Sequence, residues 1–160
     1  MATRSTIALE FADGTVQQVY CHWDGYLEHN GQILYKNYSD PFKLRDLIDL
    51  GDISSLGINV GRKHAFSSFE GDKADYEAAM AEGCTTFYGR DRGETGTGAK
   101  KFKDFEDYKA RHQYEEYEYI LRTDGFWYVS QYEKSYTLLG EAIADFLKEK
   151  ADEEEEALDA

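Results

Sequence analysis

Two stretches of this chain repeat one pattern, an alternating apolar run, an Asp-Gly turn and a second extended run, and that pattern constrains the fold most. In the first, Ser5 to Phe11 sets Ile7, Leu9 and Phe11 on one face, Ala12-Asp13-Gly14 turns the chain, and Thr15 to Trp23 runs back. In the second, Tyr114 to Arg122 and Phe126 to Tyr132 flank Thr123-Asp124-Gly125. Side chains on a strand alternate between two faces, and Asp-Gly supplies the backbone geometry of a tight turn, so each stretch predicts a β-hairpin.

Helical signals fill the space between. Asp40 before Pro41 offers an acceptor side chain at the cap and a preset φ at the first helical position, which predicts a helix over 41–50. It should bury Phe42, Leu44, Leu47, Ile48 and Leu50 and end at Gly51. Helical patterns also cover Lys73 to Ala81, Phe102 to Arg111 and Tyr136 to Lys150, while Tyr26 to Tyr38 is weakened by Asn30-Gly31. Cys84 to Tyr88 reads as a third strand, and 51–72 as loop with short extended pieces. The expectation is an α+β fold: a single domain over 1–150, an antiparallel sheet of about five strands built from two hairpins, and helices packed mainly on one face.

Charge narrows the functional classes. The chain has a net charge of -14, and its last twenty residues carry nine acids against Lys148 and Lys150. Phosphate contacts need Lys and Arg in excess, so direct nucleic-acid binding is not expected. Residues 151–160 read as an acidic C-terminal tail, disordered or a fraying helix end. Cys21 and Cys84 show no Cys-x-x-Cys spacing, and no apolar run is long enough for export or membrane insertion, which points to a reducing cytosol.

Candidate site residues gather at the end of the first hairpin, in Val19-Tyr20-Cys21-His22-Trp23-Asp24-Gly25-Tyr26. Alternation sends Val19, Cys21 and Trp23 to the core and Tyr20 and His22 to the other side, with Asp24 and Tyr26 close by. The one basic island is the Gly-rich stretch Gly89 to Gly98 with its flanks, bearing Arg90, Arg92 and Lys100. It falls short of a phosphate-loop motif, because Ala99 is inserted and no hydroxyl follows the lysine. Tyr20, His22, Asp24, Tyr26, Arg90, Arg92 and Lys100 are therefore expected to share a pocket for a small anionic ligand. His29, His64 and His112 lack two-His helical spacing, so no metal site, catalytic residue or cofactor is assigned. The aromatic hairpin is a further candidate: Trp127 and Val129 read as core, and Tyr128 and Tyr132 could face a planar ligand or a partner.

Several segments together resemble a family of small uncharacterised proteins encoded by phages and prophages. They are Thr3-Arg4-Ser5-Thr6-Ile7-Ala8, Tyr20-Cys21-His22-Trp23-Asp24-Gly25-Tyr26, Leu50-Gly51-Asp52-Ile53-Ser54-Ser55-Leu56 and Arg90-Asp91-Arg92-Gly93-Glu94. The resemblance implies an accessory protein in the cytoplasm of a bacterial host that binds and antagonises a host or defence component. It implies no catalytic residues. Two alternatives stand beside it: an acidic DNA mimic or protein–protein inhibitor, and a small hydrolase or transferase using His22 and Asp24.

Overall fold

A computed structural model describes residues 2–159, over which the chain forms one mixed sheet of eight strands with six α-helices around it. The strands are β1 (Ser5–Glu10), β2 (Val16–Cys21), β3 (Ile53–Ser55), β4 (Thr86–Phe87), β5 (Lys100–Phe102), β6 (Tyr117–Leu121), β7 (Trp127–Gln131) and β8 (Thr137–Leu138). The helices are α1 (Gln32–Asn37), α2 (Pro41–Asp49), α3 (Lys73–Ala81), α4 (Tyr88–Arg92), α5 (Phe105–Arg111) and α6 (Leu139–Asp159), and a π-helical turn, Leu27–Gly31, leads into α1.

Both hairpins form, with Ile7 opposite Val19 in β1–β2 and Tyr119 opposite Val129 in β6–β7. The sheet is nevertheless larger than the expected five strands and is not purely antiparallel. Its order is β4-β3-β2-β1-β6-β7-β8, with β5 also on β2, and β1 pairs β6 in parallel as β2 does β3. Strands of two or three residues carry too little alternation to be read from sequence. The parallel junction of the hairpins depends on tertiary packing.

That junction makes β1 the centre of the molecule. All six of its residues are buried, because neighbours bond both edges and other elements cover both faces. On one face Ile7, Leu9, Val19, Cys21, Tyr119, Leu121 and Val129 pack against Leu34, Leu44, Leu47, Ile48 and Leu139 from α1, α2 and α6 and against Tyr38, which follows α1. On the other, Ala8, Val16 and Ile120 meet Phe102 and Tyr108 from β5 and α5. The helices are thus not confined to one side. A carboxylate on so buried a strand needs partners, and Glu10 accepts bonds from Arg122 at 3.1 and 3.2 Å and from the Thr123 N–H at 3.0 Å.

Helix α2 follows its signals: Asp40 caps it by accepting from the Phe42 N–H at 2.9 Å, and Gly51 leaves it at φ 85°. Leu44, Leu47 and Ile48 are buried, but Phe42 and Leu50 are exposed, so its apolar face is narrower than expected. Helix α3 is capped by Asp72, which accepts from the Ala74 and Asp75 N–H groups. Three other expectations need correction. Trp23 is 45% exposed because β2 ends at Cys21 and the alternation ends with it. The strand expected at Cys84 to Tyr88 shrinks to β4, since α4 begins at Tyr88 and takes Arg90 and Arg92 out of the Gly-rich loop. Residues 151–159 continue α6 as helix, while Ala160 lies outside the described residues.

Candidate functional site

At the end of β2 the first group of candidate residues forms two separate contacts. The Tyr20 hydroxyl has His22 Nδ1 as its partner at 2.7 Å, and the Tyr26 hydroxyl donates to Asp24 Oδ1 at 3.3 Å. Burial pushes Tyr20 up to about 12, so the hydroxyl beside the imidazole stays protonated. No hydrogen bond joins His22 to Asp24. The hub of this corner is a residue not singled out in sequence, Asn30, which donates to Ser5 Oγ at 3.2 Å, Cys21 Sγ at 3.3 Å and the Trp23 carbonyl at 3.3 Å. Burial pushes the Cys21 thiol up to about 11, which leaves a protonated core residue in place of a nucleophile.

The basic residues are engaged by the protein itself. A guanidinium has five N–H donors. Those of Arg90 go to Asp91 at 3.0 and 3.3 Å and to the carbonyls of Val60, Gly61 and Thr85 at 3.1, 3.1 and 2.8 Å. Arg92 pairs with Glu94 and Glu70 and lies over the Phe66 ring, and Lys100 donates to Gln113. No ion pair or hydrogen bond links Arg90 or Arg92 to Tyr20, His22 or Asp24 among the described residues. Nor do His, Cys, Asp and Glu side chains there gather in threes that could hold a metal ion.

A different site emerges on the second face of the sheet, between α5 and the β6–β7 hairpin. Asp104 caps α5 by accepting from the Asp107 N–H at 2.7 Å, which aims Phe105 and Tyr108 at the sheet. The helix delivers His112 onto the Tyr108 ring, stacked at 4.4 Å, with the Tyr114 ring tilted against it at 4.2 Å. His112 Nδ1 donates to the Tyr108 carbonyl at 2.6 Å, and Nε2 meets Glu118 Oε2 at 2.5 Å. Since a carbonyl can only accept, Nδ1 carries a proton and one more is shared between Nε2 and the carboxyl. The result is a net-neutral pair, with His112 5% and Glu118 1% exposed.

Above this pair lies a cavity of ≈ 520 Å³ with Phe105, Tyr114, Tyr128 and Tyr136 in its walls and Glu118 and Ser130 among its lining. Lys109, Arg122, Glu133 and Lys134 also contribute. Ser130 faces Glu118 across the β6–β7 register, and Thr6, the neighbour of Glu118 on β1, is buried with an Oγ1 that has no hydrogen-bond partner among the described residues. The far wall is a turn in which Tyr132 and Glu133 both hold positive φ, 53° and 63°, a conformation that costs non-glycine residues energy and that clusters at functional sites. A second hollow, of ≈ 330 Å³ beside Phe11, Phe42 and Leu121, is lined mainly by apolar groups.

Of the cavity residues, Tyr114 and Tyr128 belong to the aromatic hairpin that the sequence marks as a binding candidate. His112 and Glu118 were not assigned there. The available signal was an acid set among Tyr117, Tyr119, Ile120 and Leu121, since a carboxylate in an apolar strand needs a buried partner.

Helix α6 adds an extended acidic surface. Glu141, Asp145, Glu149 and Glu153 recur at four-residue steps along one side, and residues 147–158 are exposed. No described helix is long and apolar enough to cross a membrane. Comparison with models of protein families, with characterised proteins and with solved structures finds no match.

Proposed function

We propose that this chain is a non-enzymatic binding protein whose ligand occupies the cavity between α5 and the β6–β7 hairpin. The observation that carries this reading is the cavity's make-up: four aromatic walls around a buried, proton-sharing His112–Glu118 pair, in a space of ≈ 520 Å³. Ligand sites combine apolar walls with a few placed polar groups in volumes of this order. A catalytic reading finds little support. The one serine in the lining with a buried hydroxyl, Ser130, donates to the Lys134 carbonyl, and His112 has both ring nitrogens occupied. Anion binding by Arg90 is disfavoured because its donors are spent within the protein. On the phage resemblance, such a protein would antagonise defence in a bacterial host by withholding a ligand or engaging a host component.

The test is a thermal-shift screen of amines, nucleotides and aromatic acids against the native chain and a Ser135→Trp variant that obstructs the cavity mouth. A ligand that binds only the folded state raises the melting temperature. The shift should appear in the native chain and vanish in the variant. A shift that survives in the variant places the ligand elsewhere.

The acidic-inhibitor reading is favoured by one observation, the acidic repeat along α6, which offers charge in a fixed array. Competition by duplex DNA for a captured DNA-binding protein, abolished by Glu149→Lys with Glu153→Lys, is the outcome that reading requires.

A further inference from the structure

Four of the hydroxyl groups around the cavity, those of Tyr114, Tyr128, Ser130 and Tyr136, have a shared property. Each has one proton to donate, and each directs it at the protein. Tyr114 donates to the Lys109 carbonyl at 3.0 Å, Tyr128 to Asp124 Oδ2 at 2.5 Å, Ser130 to the Lys134 carbonyl, and Tyr136 to the Tyr108 hydroxyl at 3.2 Å. A hydroxyl oxygen whose proton is committed retains lone pairs for accepting. Glu118 adds a carboxyl group, with Oε2 facing His112. These four hydroxyl oxygens and the carboxyl thus remain available as acceptors around the aromatic-walled space.

Three cations border the same space, and two are already neutralised. Arg122 is held by Glu10 through two bonds, and Lys109 lies 3.1 Å from Glu106. Among the described residues Lys134 has no ion-pair partner, and it is exposed, with Glu133 next to it in the chain. The protein as a whole carries a net charge of -14, so its long-range field draws cations toward it.

Resting on the reading of this cavity as the ligand site, we propose that its ligand is an organic cation rich in N–H donors, an alkylammonium, amidine or guanidinium group, held by hydroxyl and carboxyl oxygens between aromatic rings. Such a group supplies donors to these acceptor oxygens, and its charge is attracted to the faces of the rings. Lys134 is the one unfavourable neighbour, and it tunes affinity against this class.

The experiment is calorimetric titration of the native chain with benzamidine and agmatine as cationic probes, benzamide as the neutral relative of the first, and benzoate and AMP as anions. The cations should bind and benzamide should bind at least about tenfold more weakly, the loss expected when a charged hydrogen-bonding group is replaced by a neutral one. Ser130→Ala should weaken the cations about tenfold, and Lys134→Glu should strengthen them and weaken any anion. Lys134 is exposed, so its variant carries the test if Ser130→Ala fails to fold. Binding of benzoate or AMP that Lys134→Glu weakens and Ser135→Trp blocks would overturn the cation assignment while leaving the cavity as the site. Absence of binding by every probe would overturn the cation assignment, while a cavity-dependent ligand of another class in the thermal-shift screen would still uphold the site.

Discussion

At residue scale the Asp24-Gly25 pair separates two demands that its sequence merges. The left-handed backbone falls on Asp24, at φ 58°, a conformation that Asp tolerates better than most residues. Gly25 is required for space: a Cβ there would sit 2.7 Å from Ser5 Cβ and 3.0 Å from the Arg4 carbonyl carbon. The glycine cannot back away, because its N–H donates to Thr3 at 2.8 Å and its carbonyl accepts from Tyr119 at 2.6 Å. Gly25→Ala should therefore cost about 1–3 kcal/mol in urea unfolding. An unchanged midpoint would contradict the close approach. Asp52 makes a prediction of the opposite sign. Burial raises its carboxyl above the ordinary 3.8, against the Tyr20 N–H and the Lys100 charge, which lower it. The folded chain then holds a proton that the unfolded chain has released, so the Asp52 contribution to stability is greatest below pH 3.8 and is lost as pH rises through the raised folded value. Asp52→Asn retains an acceptor for the Tyr20 N–H and removes the buried charge. Its melting temperature should exceed that of the native chain at pH 7, and the gain should disappear in acid.

At the scale of elements, α6 divides into an anchor and an extension. Leu139 and Ile143 are buried against the core, while the side chains from Leu147 to Leu158 are exposed. A chain ending at Lys150 should unfold within about 0.5 kcal/mol of the full protein, since the described side chains it loses, 151–158, are all exposed. It should also lose far-ultraviolet ellipticity in proportion to the helical residues removed. A spectrum unchanged by truncation would mean that 151–159 is not helical in solution. The sequence suggested disorder or a fraying helix end because the run is acidic and offers almost nothing apolar to bury. It underweighted the intrinsic helix preference of Ala, Glu and Leu in the same run. Elsewhere, elements with a local cause were legible: the hairpins in alternation and Asp-Gly, and α2 in its Asp40-Pro41 start. Elements with a tertiary cause were not. β5 and β8 are strands only because β2 and β7 offer them edges. His112 and Glu118 meet across a loop with no motif between them, whereas Tyr114 and Tyr128 were visible as aromatic residues in excess of what a core needs.

At the scale of the molecule, the two hairpins are distant in sequence and depend on each other. β1 pairs β6 from Ser5 opposite Tyr117 to Leu9 opposite Leu121, and β5, from the second half, pairs β2, from the first. Ile7 and Leu9 share a core with Tyr119, Leu121, Val129 and Leu139, so residues 1–94 alone would leave that face of the sheet open on one side. Residues 95–160 alone would expose the β6 edge and the apolar face of α6. The chain between the halves is suited to a break: Glu94, Thr95 and Gly96 are exposed, and Gly96 holds φ 73° with open space around it. The loop is pinned just beyond, where the Thr97 carbonyl accepts from the Asp52 N–H at 2.8 Å, which keeps the new end near its place. The two halves, expressed separately, should each lack a cooperative unfolding transition, because neither encloses the buried strand that organises the fold. Mixed, they should form a one-to-one complex that unfolds cooperatively, with a midpoint that rises with concentration, since association now contributes to stability by mass action. A cooperative transition in residues 1–94 alone would show that the first hairpin and its helices are a folding unit, and β1 would then not be the strand on which both halves depend.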